Sequence, residues 1–243
     1  MSGHSHAKTI KHQKNITDQK RGQLFSKMAK VISIAVKQGG PNPETNAKLQ
    51  TAMDKAKEFN MPKDNVKRAI EQAVGNKDGA ALEEVLFEAY GPGGVAIVIE
   101  GITDNRNRTL GEVKQVLNQG NGKMVGEGGV KWMFEPKGYI FIDLKSQEPN
   151  LQNQETLEMA AIEAGADDVH LQEEGLDIYT KVGDLEKVKN SLIEKGVRVE
   201  SSSLDLVAKE EMTVSEKEKE DCQKLFDALD ELDSVQNVYS NLA

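Results

Sequence analysis

Apolar residues along this chain follow two different periods, and the change falls near residue 80. Before it they recur three and four apart. Leu24, Phe25, Met28, Ile32, Ala35 and Val36 form one stripe, which predicts a helix from about Asp18 to Gln38. Gly39-Gly40 should end it, because glycine accepts the left-handed cap conformation. Asn42-Pro43 is expected to restart the chain as N-cap and first helical residue. Leu49, Ala52, Met53, Ala56 and Phe59 then mark a second face. Met61-Pro62-Lys63-Asp64 repeats the start signal, and Val66, Ala69, Ile70 and Ala73 mark a third. Three such helices make a small helical unit over about residues 16–75.

Gly75-Asn76-Lys77-Asp78-Gly79 reads as a linker, after which strands and helices alternate. Strands are expected at Val85–Tyr90, Gly94–Thr103, Val130–Glu135, Gly138–Leu144, Leu176–Lys181, Val197–Ser201 and Leu204–Lys209. Helices are expected at Thr109–Gln119, Gln154–Ala164, Asp184–Lys195 and Ser215–Asp233. Glu112–Leu117, closed by Gly120, resembles Lys187–Leu192, closed by Gly196, and each lies between two strands. This weak repeat suggests two ferredoxin-like α+β modules.

Composition narrows the class. The chain has 243 residues, room for two to three small domains. Aromatic residues are only 5%, so the cores must be aliphatic. The longest apolar run, Val95–Ile99, is far short of the roughly 18–20 residues of a membrane helix. Met1–His6 lacks the apolar stretch of a secretory signal. Cys222 is the one cysteine, which excludes an internal disulfide and points to a reducing, cytoplasmic setting.

Charge changes the picture most. The chain carries a net −9, yet residues 1–40 hold eight Lys/Arg against one acid, Asp18. That local excess of seven leaves −16 for the remainder. A basic arm on an acidic body works against the overall sign. It is the pattern of a protein that grips a polyanion at one end and repels it elsewhere. Lys8, Lys11 and Lys14 supply point charges for phosphates, and His4, His6 and His12 supply donors that can also stack. A metal site built from those three histidines has no carboxylate or thiolate nearby to complete it. Lys20, Arg21, Lys27 and Lys30 continue the basic character along the first helix, off its apolar stripe, and are expected to join the arm as one surface.

Two further segments stand out. Thr103-Asp104-Asn105-Arg106-Asn107-Arg108-Thr109 leaves a strand and opens a helix. Arg106 and Arg108 beside free helix N–H groups suit a phosphate. Equally, Asp104 or Asn107 could cap the helix while the arginines pair with carboxylates. Tyr90-Gly91-Pro92-Gly93-Gly94 reads as a tight hairpin connection. Trp132, the single tryptophan, alternates with Val130 and Phe134 and is expected in the core. No nucleophile constellation, Walker loop, dinucleotide fingerprint or zinc-hydrolase motif occurs, which favours binding over catalysis and implies no cofactor.

These segments together resemble the YebC/PmpR family, described as transcriptional regulators and including a mitochondrial translational activator. Gly3-His4-Ser5, Ile10-Lys11-His12, Lys20-Arg21-Gly22, Asp54–Lys57, Asn60–Asn65, Tyr90–Gly94 and Thr103–Thr109 carry the resemblance, which spans essentially the whole chain. It implies a non-enzymatic protein of three units: residues 1–79 as arm and helical domain, 80–136 plus 203–243 as a middle α+β domain, and 137–202 as an inserted α+β domain. It also implies nucleic acid as partner, either promoter DNA or ribosomal RNA, the latter at the ribosome where proline-rich stretches are translated. Neither a membrane nor a small-molecule substrate is implied. The arm departs from the family, which commonly reads Lys-Trp-Ala-Asn where this chain has His6-Ala7-Lys8-Thr9, and Arg where it has Gln13. His6 is then the ring nearest the missing tryptophan.

Overall fold

The computed structural model describes residues 18–75, 82–172 and 175–243. Its first three helices are α1 (Asp18–Gly39), α2 (Ala47–Glu58) and α3 (Lys63–Gly75). Their apolar stripes meet in a core of their own, with Met28, Ile32, Leu49, Ala56 and Ala69 buried. Gly40 adopts φ 86° where α1 ends, the left-handed conformation expected of the Gly-Gly pair.

The start of α2 lies further along than Asn42-Pro43 suggested. Asn42 instead makes a local turn, its side chain accepting the Glu44 N–H at 3.0 Å. Asn46 is the cap, with Oδ1 accepting the Leu49 N–H at 3.1 Å. Its amide also donates to the carbonyls of Ala35 and Gly40, each at 2.8 Å. One buried Asn therefore closes α1, the turn and α2 together, which no local cap signal encodes. A Cβ on Gly39 would come within 2.6 Å of that side chain.

The first sheet contains β1 (Glu83–Tyr90), β2 (Ala96–Thr103), β3 (Lys123–Val125) and β8 (Val235–Ser240), in the antiparallel order β3-β1-β2-β8. Alternation along β2 sends Ile97 and Ile99 to one face, where α4 (Arg106–Gln119) and α7 (Glu216–Asp230) cover them with Val113, Leu117 and Phe226. Ala96 and Val98 point the other way, into a second cluster with Val130, Phe134 and Tyr239. Cys222 is buried on the apolar face of α7, and burial beside Asp221 and Glu218 pushes its thiol up to about 11.

The second sheet contains β4 (Phe134–Asp143), β5 (Asp168–Leu171), β6 (Gly175–Thr180) and β7 (Ser201–Ala208), in the antiparallel order β5-β6-β4-β7. Helices α5 (Gln154–Ala164) and α6 (Leu185–Glu194) pack on one face, burying Leu157, Ala161, Val188 and Leu192 against Ile140, Ile142, Leu176 and Ile178. All of these elements lie between β3 and α7 in the chain, so the second sheet is inserted within the first. The fold is α+β: a helical unit followed by two nested sheets, each with two helices on one face.

Several sequence expectations are corrected. Residues 131–133 form a single 3-10 turn, and β4 begins only at Phe134 before running through Gly138 as one strand. Residues 197–200 form no strand, because β7 starts at Ser201 where it pairs with Phe141. The short strands β3, β5 and β8 carry no alternation strong enough to read. The divisions implied after residue 136 and before residue 203 fall inside β4 and β7, which pair continuously from Phe134↔Ala208 to Phe141↔Ser201.

Candidate nucleic-acid interface

The basic face of α1 meets the carboxyl end of α7. Lys27 Nζ donates to the Asp230 carbonyl at 2.6 Å, and Lys30 Nζ to the Asp233 carbonyl at 2.8 Å. Lys20 pairs with Glu231 at 3.1 Å. The last carbonyls of a helix have no intrahelical partner and carry partial negative charge, so cations dock there. Burial lowers the Lys27 ammonium, against the opposing pull of Asp230 and Asp233. The surface that the sequence assigns to phosphates is thus partly spent inside the chain. Lys27 and Lys30 hold α1 on α7. Lys20, whose pair is well exposed, is held by an interaction worth about 0–1 kcal/mol. Arg21 is exposed on the same helix. His4, His6, Lys8, Lys11, His12 and Lys14 lie outside the described residues.

The loop into α4 is built from short polar residues. Asn105, rather than Asp104 or Asn107, is the cap: its side chain accepts the Arg108 N–H at 3.1 Å. Thr103 Oγ1 accepts the Asn105 N–H and bonds the Thr109 hydroxyl, both at 2.9 Å. Arg108 lies on Asp104 and faces Glu112 at 3.8 Å, which is the ion-pair alternative realised. Arg106 is exposed on the first turn, with no hydrogen bond or ion pair to another described residue. The structure therefore separates the two arginines: one is engaged, one is presented.

Trp132 is not a core residue. It is 64% exposed, on the turn between β3 and β4. The Gly128-Gly129 pair that precedes it was the sequence signal against a continuous strand. Glu88 holds this turn from below. It is 2% exposed, and its carboxylate accepts the backbone N–H groups of Gly128, Val130 and Lys131, each at 2.7 Å. Burial alone would push this carboxyl up; the three N–H donors and the Lys131 charge outweigh it and bring it below its ordinary value. Lys209 Nζ donates to the Trp132 carbonyl at 2.8 Å.

Models of known families match nearly the whole chain. One, described as the TACO1/YebC protein N-terminal domain, matches residues 5–76; another, the TACO1/YebC second and third domain, matches residues 82–242. The chain belongs to the TACO1/YebC family. A "Probable transcriptional regulatory protein" of Dehalococcoides mccartyi is 43% identical over 241 residues, covering 99% of this chain and 94% of the relative. A protein of the same name from Chloroflexus aggregans is 44% identical over 243 residues, covering 100% and 95%. The crystal structure of a conserved hypothetical protein, Aq1575, from Aquifex aeolicus superposes with TM-score 0.85 at 41% identity, covering 93% of this chain and 91% of that one. Among the described residues, no helix is long and apolar enough to cross a membrane.

This TACO1/YebC chain also gathers charged groups where its three bodies meet. Glu100 on β2 accepts from Asn237 at 3.2 Å and from the Tyr239 hydroxyl at 3.3 Å. Asp205 on β7 lies close enough to feel Glu100 and Lys55 of α2. Burial pushes the Asp205 carboxyl up to about 6, although Lys55 pulls it down. A carboxyl raised in the folded state contributes stability that is present at low pH and lost as pH rises through the folded value. Wild type should therefore lose about 2 kcal/mol relative to Asp205→Asn between pH 4.5 and 7.5. Urea denaturation at the two pH values measures it; parallel pH dependence in both proteins would place Asp205 in water.

Proposed function

We propose that this TACO1/YebC protein is a non-enzymatic, cytoplasmic regulator of gene expression that works by binding nucleic acid. One observation carries the reading: a local excess of seven positive charges in the first 40 residues of a chain whose net charge is −9. Lys8, Lys11 and Lys14 of the arm, with Lys20, Arg21 and the presented Arg106, contact phosphates. His4, His6 and His12 donate or stack beside them, and Arg108 joins only by leaving Asp104. Lys27 and Lys30 serve the α1–α7 contact instead. The acidic body limits spreading along the polyanion. The relatives' names speak of transcriptional regulation, and promoter DNA is the target such a role would use.

A second reading, ribosomal RNA and translation of proline-rich stretches, is favoured by one feature of the fold. Sharp duplex readout uses a helix set into the major groove, with side chains on base edges. Here the basic helix α1 turns two of its cations onto α7, which suits an arm threaded among phosphates better than a recognition helix.

The test is a salt titration of binding. If six cations neutralise six phosphates, log affinity should fall with log salt at a slope of roughly −5 for duplex DNA and roughly −4 for a single strand. A slope near zero would overturn the electrostatic account. Sedimentation of cell extract with and without ribonuclease then separates the readings: ribosome-sized migration abolished by ribonuclease assigns the protein to RNA, and migration at the gradient top together with binding to genomic fragments assigns it to DNA.

A further inference from the structure

We propose that Trp132 is a stacking platform for an unpaired nucleobase, with Lys131 placed for a phosphate that flanks it. The inference rests on the nucleic-acid reading above and adds to it a second site, on the acidic body and built from residues outside the arm.

The first observation is where the chain puts its one tryptophan. At 64% exposure it is the most exposed large apolar side chain among the described residues, in a chain with only 5% aromatic residues. Its indole N–H is satisfied within the turn, donating to the Gly129 carbonyl at 3.2 Å. With that edge occupied, the ring offers a partner π surface rather than a hydrogen bond.

The second observation is that the turn is built to hold the ring still. Glu88 fixes three successive parts of it through Gly128, Val130 and Lys131. The Met133 N–H closes on the Val130 carbonyl at 2.9 Å, and the Lys209 N–H on the Met133 carbonyl at 2.9 Å. Val130 and Phe134, on either side, are buried in the cluster beneath. A ring presented on a fixed turn loses little freedom when a partner stacks on it.

The Lys209 ammonium is fixed on the Trp132 carbonyl, and Lys131 is the adjacent exposed residue. Of the nearby acids, Glu88 is consumed by backbone donors and Glu135 is paired with Lys137 at 3.0 Å; Glu127 stays exposed, as do Glu210 and Glu211 next to Lys209. A protein partner would call for an apolar patch, but no other large exposed apolar side chain lies in this turn. An exposed aromatic ring beside a lysine is the combination that binds a single strand, stacking a base and meeting its phosphate. A paired base hides its faces in the duplex stack, so the occupant is an unpaired base.

Because Trp132 is the only tryptophan, its own emission reads the contact. The full chain is titrated with a dye-labelled mixed-sequence single-stranded RNA, the DNA of the same sequence, and that DNA as a duplex, following dye anisotropy and tryptophan fluorescence together. Quenching by the single strands, and affinity for them lowered roughly 5- to 150-fold in Trp132→Ala but less in Trp132→Phe, is the expected result. Duplex affinity should stay unchanged. Stronger quenching by RNA than by DNA, or the reverse, identifies the source of the base. Trp132→Phe keeps an aromatic ring on the turn and so controls for folding. Single-strand binding with unmoved emission and full affinity in Trp132→Ala would overturn this inference and leave the nucleic-acid reading standing. No binding of any strand would overturn that reading, and this inference with it.

Discussion

Replacing Lys8, Lys11 and Lys14 together with alanine is expected to weaken duplex binding on the order of 500-fold at 0.1 M salt. Each phosphate neutralised on duplex DNA releases counterions equivalent to about 0.9 in the log–log salt slope. Three lost contacts should therefore flatten the slope by about 2.7, and at 0.1 M each unit of slope is tenfold in affinity. The loss should be the same for every sequence, because phosphates carry no sequence information. Filter binding of two unrelated duplexes across a salt series measures both quantities. A loss confined to one sequence would reassign the arm from phosphates to bases. The arm, rather than α1, is the place for this test. Lys27 and Lys30 are docked on the carbonyls of Asp230 and Asp233, so removing them would disturb the α1–α7 contact and blur the readout.

Glu88→Gln should destabilise the fold by about 2–4 kcal/mol. The carboxylate of Glu88 has only acceptors, and it faces only donors: the Gly128 N–H on one oxygen, the Val130 and Lys131 N–H groups on the other. Glutamine keeps the shape but turns one acceptor into an NH2, leaving at least one buried N–H facing a donor. Urea denaturation measures the loss, and the emission of Trp132, presented by the same turn, reports whether the turn itself loosens. Unchanged stability would mean that water or neighbouring backbone takes over the donors. The pH dependence has the opposite sign to that of Asp205. A carboxyl held below its ordinary value contributes stability that is present at neutral pH and lost as pH falls through its folded value, so acid should narrow the gap between Glu88→Gln and wild type.

The two carboxylates illustrate how one acidic body uses burial in two ways. Glu88 is surrounded by backbone donors and stays ionised as a structural anchor. Asp205 lies among acids, with Lys55 pulling against burial, and its ionisation opposes the packing of the three bodies. Neither role is visible in a charge count.

Periodicity in the sequence was enough to place the seven α-helices of the described residues, to end α1 at its glycines, and to establish an α+β chain with a helical start. A helix repeats its apolar residues over many positions, and that pattern survives most tertiary contexts. The charge split was equally legible, because charge sums along a segment whatever its fold. The short strands β3, β5 and β8 were not, since three to six half-exposed residues hold too few alternations, and the continuity of β4 through Gly138 depends on its partners β6 and β7. Tertiary structure alone decided which candidate charges remain available to a ligand. Lys27 and Lys30 look like Lys20 in sequence, but the end of α7 takes Lys27 and Lys30 onto backbone carbonyls 203 positions later and holds Lys20 only by an exposed ion pair with Glu231. Trp132 shows the same dependence in reverse. Alternation assigned it to the core, but Glu88, 44 positions earlier, gathers the backbone of residues 128–131 into a turn and leaves the indole in water. Local pattern reports what a side chain prefers; long-range partners determine whether that preference is met.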